Sequence, residues 1–260
     1  MCGRYATTRT AADLTALFEA LDVSAGAVAV DYNVAPTDPV PVVRMSSTHG
    51  GRVLDVARWG LIPTWAADRR VGARMINARA ETIASMKAYA IPFARRRCLI
   101  PATGWYEFAP SRDGSPVGGV GGKTQRKQPY FMTPRDGGPV VFGGVWTVWS
   151  SPDGSIPKLL TSSIVTTAAI GDLAEVHTRM PLMLSRDRWE QWLTASRNLD
   201  ALLTPPSPAD VAALEIRAVG AAVGDVRNDG PALIEPVPGY PDGGAARLTP
   251  VPDRADLTLF

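Results

Sequence analysis

Short apolar runs with a two-residue period recur along the chain and are separated by turn-forming residues. The predicted strands span 40–45, 52–59, 97–101 continuing through 105–108, 129–133, 140–149 and 159–167. Strands of this number and spacing, interrupted by only a few helical patterns, are typical of the α+β class. We therefore expect a central, largely antiparallel sheet or barrel-like core with flanking helices.

Helical spacing of apolar residues appears at four places. The first helix is predicted over 10–21, with Thr10 as N-cap and Asp13 three residues later. Its buried face is predicted to comprise Leu14, Leu17, Phe18 and Leu21. Further helices are predicted after Ala80, over 185–196 and from the capped start at 207–210. In the third of these four helices, the inward-facing residues are predicted to be Trp189, Trp192 and Leu193.

The pattern favours a single domain over 2–237. The segment 111–128 is rich in glycine and has no apolar period, so it is predicted to be a flexible loop inserted between strands. Proline and glycine recur without periodicity near the end of the chain, which predicts an irregular tail over 238–260.

Composition narrows the function classes only modestly. The chain has 260 residues, 45% of them hydrophobic, and a net charge of +2, which does not by itself indicate a nucleic-acid partner. Arginines outnumber lysines, but GC-rich coding explains that bias better than phosphate binding does. No apolar stretch reaches the roughly 18 residues of a membrane span, and no secretory signal opens the chain. We expect a cytoplasmic protein.

The two cysteines, Cys2 and Cys98, make neither a disulfide framework nor a structural zinc site, and we expect no metal and no cofactor. Cys2 follows Met1, and a small residue there allows removal of the initiator. The product would be a 1,2-aminothiol, whose amine forms an imine with an aldehyde and whose thiol then closes a thiazolidine ring. The pKa of a free α-amine is about 8, so part of it is unprotonated at neutral pH. By position alone, an inert cysteine is the more frequent case.

Three other side chains are candidates for proton transfer or orientation. Glu107 lies among aromatic residues, where desolvation would raise its pKa, although a solvent-facing glutamate at a strand edge fits the sequence equally well. His49 lies in a polar turn, where a solvated side chain is expected. His177 precedes an apolar run and is therefore the candidate histidine. Single histidines are nevertheless more often structural than catalytic. Asn77 taken alone would pass for a turn residue.

Nine segments, in order, resemble the SRAP domain family. They are MCGRY (1–5), YNVAPT (32–37), RWGLIPTW (58–65), INARAET (76–82), RRCLIPATGWYEF (96–108), VFGGVW (141–146), IVTTAA (164–169), HTRMPLML (177–184) and VGDVRNDG (223–230). The resemblance implies the family's fold and a protein that forms a covalent thiazolidine crosslink between its N-terminal cysteine and an abasic site in single-stranded DNA.

The resemblance also assigns site residues. It implies catalytic roles for Cys2, for Asn77 in orienting the cysteine and the sugar, and for Glu107 and His177 in proton transfer. The implied DNA-binding positions are Arg4, Arg79 and Arg179 for phosphates, Trp65 as a wedge against the bases, and Thr166. The chain departs from some relatives at Ala66, where they carry a second tryptophan.

Two alternatives stay open at this point. The first is a thiol (auto)peptidase or amidohydrolase, with Cys2 as nucleophile and His177 as base, which is the older activity ascribed to the family. The second is a non-covalent single-strand DNA-binding module that is indifferent to loss of the thiol. For the crosslinking protein we expect lyase activity where ring closure fails, a monomer associated with the nucleoid, no membrane contact, and partners at the replication fork.

Overall fold

The computed structural model describes residues 2–110, 116–117, 124–125 and 127–237. The strands are β1 (Arg4–Thr7), β2 (Leu21–Asp22), β3 (Asp31–Val34), β4 (Pro39–Ser46), β5 (Gly51–Trp59), β6 (Asn77–Arg79), β7 (Arg97–Ala102), β8 (Gly104–Pro110), β9 (Pro116–Val117), β10 (Thr124–Gln125), β11 (Lys127–Pro134), β12 (Val140–Trp149), β13 (Leu159–Ala168), β14 (Arg179–Pro181) and β15 (Leu214–Ala218). The α-helices are α1 (Ala11–Phe18), α2 (Ala90–Arg95), α3 (Leu173–Val176), α4 (Trp189–Thr194) and α5 (Pro208–Ala212).

A closed barrel forms the centre of the molecule. Its strands follow the order β5-β4-β7-β12-β13, and β13 closes the ring by pairing in parallel with β5 at Ser162 and Trp59. The other neighbouring pairs in the ring are antiparallel. Alternating residues of these strands, such as Val42, Ile100 and Phe142, belong to one buried cluster, as expected for the inward face of a small barrel.

A second, antiparallel sheet leaves the barrel where β7 continues into β8. Its order is β15-β11-β8-β1-β3, and only Thr103 separates the two strands that link it to the barrel. Tyr5 of β1 meets Trp59 of the barrel edge-on, with ring centroids 5.0 Å apart, and Trp105 meets Phe142 at 5.9 Å. These aromatic contacts bury Tyr5 and Trp105 between the sheet and the barrel.

The predicted α+β class and the largely antiparallel barrel-like core are confirmed. The predicted strand positions agree with those of β4, β5, β11, β12 and β13, and the long run over 97–108 divides into β7 and β8. The exceptions to the antiparallel pattern are the pairs of β5 with β13, β6 with β13 and β2 with β5, which are parallel.

The first helix is shorter than its apolar pattern predicted. The capping box of Thr10 and Asp13 forms, and Leu14 and Phe18 are buried, but Glu19 adopts the left-handed conformation at φ 50° and ends the helix. Leu21 therefore does not lie on the buried face as predicted. It belongs to β2, pairs with Val53 and is 55% exposed.

The helix predicted after Ala80 is present, but it does not follow Ala80 directly. Residues 80–89 form successive turns, and α2 begins only at Ala90. The Ser85 hydroxyl donates to the carbonyl of Thr82 at 3.1 Å, a local bond by which serine competes with regular helix pairing.

The two later helix predictions are confirmed in position. Over 185–196, a 3₁₀ turn at Arg186–Arg188 precedes α4, and Trp189, Trp192 and Leu193 are buried. The helix α5 begins with the predicted cap, in which Ser207 and Asp210 form a capping box.

Parts of the segment 111–128 are described. β9 pairs with β10, and Lys127 and Gln128 belong to β11. The tail predicted over 238–260 lies outside the described residues. Within the described ranges, no helix is both long and apolar enough to cross a membrane.

Substituting alanine for Gly104 should destabilise the junction between the barrel and the second sheet. A Cβ at this position would overlap the carbonyl oxygen of Met132 and the ring of Phe131, so the backbone must shift. We expect a loss of about 1–3 kcal/mol and a fall in Tm of roughly 3–10 °C, measured by thermal unfolding. Gly51→Ala is the control, because a Cβ there meets no atom within 4 Å; equal melting of the two variants would contradict this account.

Candidate functional site

Cys2 is held at the start of β1 by a side chain from another strand. The Asn77 amide nitrogen donates a hydrogen bond to the Cys2 carbonyl at 2.8 Å. Asn77 is fixed in turn, because β6 pairs with β13 opposite Ile164 and the Tyr89 hydroxyl donates to the Asn77 carbonyl at 3.0 Å. The contact therefore joins two segments that are 75 residues apart in sequence.

The other end of the Asn77 amide is an available acceptor. Its Oδ1 is buried and has no hydrogen-bond partner among the described residues. Because Nδ2 is committed to the Cys2 carbonyl, the orientation of the amide is set and Oδ1 points elsewhere. Leaving a buried amide oxygen unsatisfied is costly, so such an atom indicates a place where a polar ligand group can bind.

The thiol of Cys2 is fully buried and stays protonated. Burial raises its pKa well above the ordinary value, and the nearby charge of Glu107 raises it further. Its sulfur lies 3.9 Å from the carbonyl oxygen of Arg4. This environment is the opposite of the electropositive setting that produces a reactive thiolate.

Glu107 lies in β8, between β1 and β11. Its side chain is only 4% exposed, so the alternative of a solvent-facing glutamate at a strand edge is excluded. Burial raises the pKa of Glu107 to about 7. A carboxyl group with such a pKa can both give and accept a proton at neutral pH.

His177 follows α3 directly, and its ring contacts the backbone of Arg179. Its Nδ1 lies 2.9 Å from the backbone nitrogen of Arg179 and 3.2 Å from the Arg179 carbonyl oxygen, so it can accept from the first group or donate to the second, according to the tautomer. Burial lowers the pKa of His177, so the neutral form dominates at physiological pH.

Arg79, Thr166 and Arg179 meet at β13. Thr166 pairs with Arg79 of β6, while Arg179 lies in β14 on the other edge of the strand. The Arg179 guanidinium donates to the Thr166 carbonyl at 2.7 Å and to both carboxylate oxygens of Glu81 at 2.6 and 2.9 Å. Arg79 is exposed. The structure thus brings together two of the three predicted arginines.

Arg4 is hydrogen-bonded to two other segments of the chain. Its guanidinium donates to Asn33 Oδ1 at 2.6 Å and to the carbonyl of Val223 at 2.9 Å. The Asn33 amide donates to the carbonyls of Asp225 and Asn228. Arg4 therefore clamps the segment near residue 223 onto the strand that follows Cys2, a role that the sequence did not indicate.

Trp65 is 59% exposed, and the Lys87 ammonium lies 5.2 Å from its ring centre. The neighbouring Ala66 is buried against Ile62 and Trp149, and its carbonyl accepts a bond from the Trp149 indole at 2.8 Å. In this chain position 66 therefore belongs to a buried cluster and does not add a second exposed aromatic side chain beside Trp65.

Sequence reasoning missed Glu81, Asn33 and Tyr89, although all three are directly bonded to predicted site residues. Glu81 and Asn33 fall inside the segments INARAET and YNVAPT, which is the one signal that could have drawn attention to them. Within the part of the chain that the structure describes, no three His, Cys, Asp or Glu side chains cluster so as to hold a metal ion.

Comparisons with known proteins identify the family to which this sequence is similar. The sequence model of the family described as SOS response associated peptidase (SRAP) matches residues 1–226. The abasic site processing protein YoqW of Bacillus subtilis is 31% identical over 238 residues, covering 90% of this chain and 99% of the relative. The abasic site processing protein YedK of Escherichia coli is 29% identical over 250 residues, covering 91% and 100%.

The fold also occurs in a solved structure. A crystal structure of a protein from Bacteroides thetaiotaomicron superposes with a TM-score of 0.73 at 21% identity, covering 91% of this chain and 100% of that chain. This match confirms the predicted fold.

Glu107→Gln should stabilise the protein at alkaline pH. The folded protein holds the Glu107 proton more tightly than the unfolded chain does, so ionisation costs stability as the pH rises from about 4.5 to about 7. The variant should gain on the order of 3 kcal/mol over wild type above that range and nothing below it, measured by denaturant unfolding at pH 4.5 and 8. Glu19→Gln on the surface is the control; a gain that does not depend on pH would refute the raised pKa.

Proposed function

The chain belongs to the SRAP family, and from this premise we propose that it processes abasic sites in single-stranded DNA by forming a covalent thiazolidine crosslink through Cys2. Relatives that match about nine-tenths of the chain are named abasic site processing proteins. The observation that carries the proposal is the hydrogen bond from Asn77 to the Cys2 carbonyl, beside a buried carboxyl group whose pKa is about 7.

The first step requires removal of Met1, which frees the α-amine of Cys2. The amine attacks the aldehyde carbon of the opened abasic sugar and forms a carbinolamine. Protonated Glu107 then donates a proton to the carbinolamine hydroxyl, which leaves as water, and the imine remains. A pKa of about 7 keeps both forms of Glu107 populated at neutral pH, so the same group can recover a proton from the nitrogen.

The second step closes the ring. The Cys2 sulfur adds to the imine carbon, and the thiol proton passes to the nitrogen, so that the overall reaction releases one water. The raised pKa keeps the thiol protonated, which fits a route in which the amine reacts first. The thiol then adds to an imine carbon that is already bonded to the nitrogen of the same residue. Asn77 orients the terminus through Nδ2 and offers Oδ1 to a sugar hydroxyl.

Proton transfer at the sugar is the role we propose for His177. Its neutral imidazole has one ring nitrogen that donates and one that accepts, so it can give a proton during opening of the sugar ring or take one back during reversal of the crosslink.

The DNA strand is held by charge and by stacking. In our proposal Arg79 and Arg179 bind phosphates at β13 with Thr166 between them, and the exposed Trp65 stacks on a base. Arg4 adds positive charge near Cys2 while it clamps the C-terminal segment.

A peptidase fits the site less well than a crosslinking protein. Acyl transfer by cysteine needs a thiolate, whereas burial and Glu107 both raise the pKa of the Cys2 thiol. Lyase activity follows in the proposal from imines that do not reach the ring, since the imine permits strand cleavage. A substrate of this kind places the protein at the nucleoid and beside proteins of the replication fork.

Cys2→Ser should abolish heat-stable attachment to an oligonucleotide that carries an abasic site, because oxygen does not form the stable sulfur ring. The product is resolved on a denaturing gel and weighed by mass spectrometry. Cys98→Ala is the matched control, since Cys98 is the other buried cysteine and should crosslink like wild type. Attachment that survives in Cys2→Ser would refute the proposal, and binding unaffected by Cys2→Ala with no adduct in wild type would favour the non-covalent module.

A single residue retained in front of Cys2 should reduce the yield of crosslink as much as loss of the sulfur does. The α-nitrogen is then an amide and cannot form the imine, although the thiol is intact. Intact-mass measurement of each preparation gives the fraction lacking Met1, and the yield of crosslink should scale with that fraction. Full crosslinking by protein that retains the extension would rule out the amine-first route.

A further inference from the structure

Glu81 occupies the face of Arg179 that would bind a phosphate. Its two carboxylate oxygens accept from Nη1 and Nη2 of Arg179 at 2.6 and 2.9 Å, in the fork-to-fork geometry that arginine also uses for phosphate. Hydrogen bonding to Arg179 lowers the pKa of Glu81, so the carboxylate is charged at neutral pH. The described structure therefore holds an internal anion at this position.

The other donors of Arg179 leave at most one N–H, on Nη1, within reach of a ligand, which is too few for bidentate binding. Nη2 also donates to the Thr166 carbonyl at 2.7 Å, and Nε is buried without a hydrogen-bond partner among the described residues. A phosphate that binds Arg179 in a bidentate manner must therefore displace Glu81. Displacement is feasible, because the Glu81 side chain is 51% exposed and can turn into water, whereas the Arg179 side chain is only 16% exposed and stays in place.

We propose that Glu81 is a specificity-determining residue that competes with DNA phosphate for Arg179. This inference rests on the proposed function. An intact strand has only its phosphates and bases with which to displace a tethered carboxylate, so its affinity is lowered. An abasic strand pays the same cost on arrival, but the covalent bond to Cys2 then keeps its phosphate near Arg179 at a high effective concentration. Glu81 thereby lowers the occupancy of the site by intact strands relative to crosslinked strands.

The test is equilibrium binding of fluorescent single-stranded oligonucleotides to wild type and Glu81→Gln. The amide keeps the shape and one acceptor for Arg179 but loses the charge. We expect the variant to bind intact strands roughly two- to fivefold more tightly, the factor that corresponds to a partly exposed ion pair. Abasic strands are retained by the covalent bond whatever this affinity is, so at subsaturating DNA the occupancy by intact strands relative to crosslinked strands should rise by about the same factor.

Two controls isolate the proposed competition. Glu190→Gln removes a similarly exposed carboxylate, also 2.6 Å from an arginine, Arg52, and should leave the affinity near wild type. In an Arg179→Gln background, Glu81→Gln should have no effect, because the group for which it competes is gone. Thermal unfolding of each variant checks that the fold is retained.

Weaker or unchanged binding by Glu81→Gln would overturn the inference, since Glu81 would then only orient Arg179 or do nothing. An equal gain in Glu190→Gln, or a gain that persists without Arg179, would overturn it as well, because net charge would explain the effect. Failure of the proposed function is read separately, as the absence of any covalent adduct between wild type and abasic strands, while binding to intact strands remains measurable.

Discussion

The shared strand β13 is the constraint on which both the fold and the candidate site depend. Along one edge it pairs with β12 and then with β14, and along the other it pairs with β5 and then with β6. Pairing with β5 closes the barrel, and pairing with β6 and β14 delivers Asn77, Arg79 and Arg179 to one place. A one-residue shift of register in β13 would open the barrel and separate those side chains. Such a shift moves every side chain of the strand to the opposite face of the sheet.

Burial raises the pKa values of the groups that we propose to react, at a cost to stability. Cys2 and Glu107 both lie where water is excluded, and the pKa of each is raised for that reason. A buried glutamate with a pKa of about 7 destabilises the folded protein at neutral pH, so its presence is better explained by proton transfer than by packing. The neighbouring aromatic contacts of Tyr5 and Trp105 with the barrel supply the apolar burial that offsets such a cost.

Three arginines lie two residues after a candidate catalytic residue each: after Cys2, Asn77 and His177. Their environments nevertheless differ. Arg79 is exposed, Arg179 is bound to Glu81, and Arg4 is tied to Asn33 and Val223. A guanidinium that is already hydrogen-bonded to protein groups exchanges those bonds for phosphate, so its net gain on binding DNA is smaller than that of a free one. The three guanidiniums therefore differ in the protein hydrogen bonds that each would exchange for phosphate.

Much of the fold follows from local pattern. The two-residue period located the strands, and the capping residues located the starts of α1 and α5, because side-chain alternation and N-caps are encoded within a few positions. Two departures from the helical pattern were not predictable. A left-handed cap at Glu19 ends α1 early. Over 80–89 the chain forms turns, in which Ser85 bonds locally to Thr82. Likewise, pairing of β13 with β5 joins distant segments, which no periodicity specifies.

The sequence by itself determined the family, the order of the strands along the chain and which residues carry the candidate chemistry, because these are properties of residue identity and spacing. Only the tertiary structure decided that Glu107 is buried, that Asn77 holds Cys2, that Arg4 clamps the C-terminal segment and that Glu81 occupies Arg179. Each of these depends on the distance between segments far apart in sequence and on the exclusion of water between them. Both are set when the barrel closes and the second sheet packs against it.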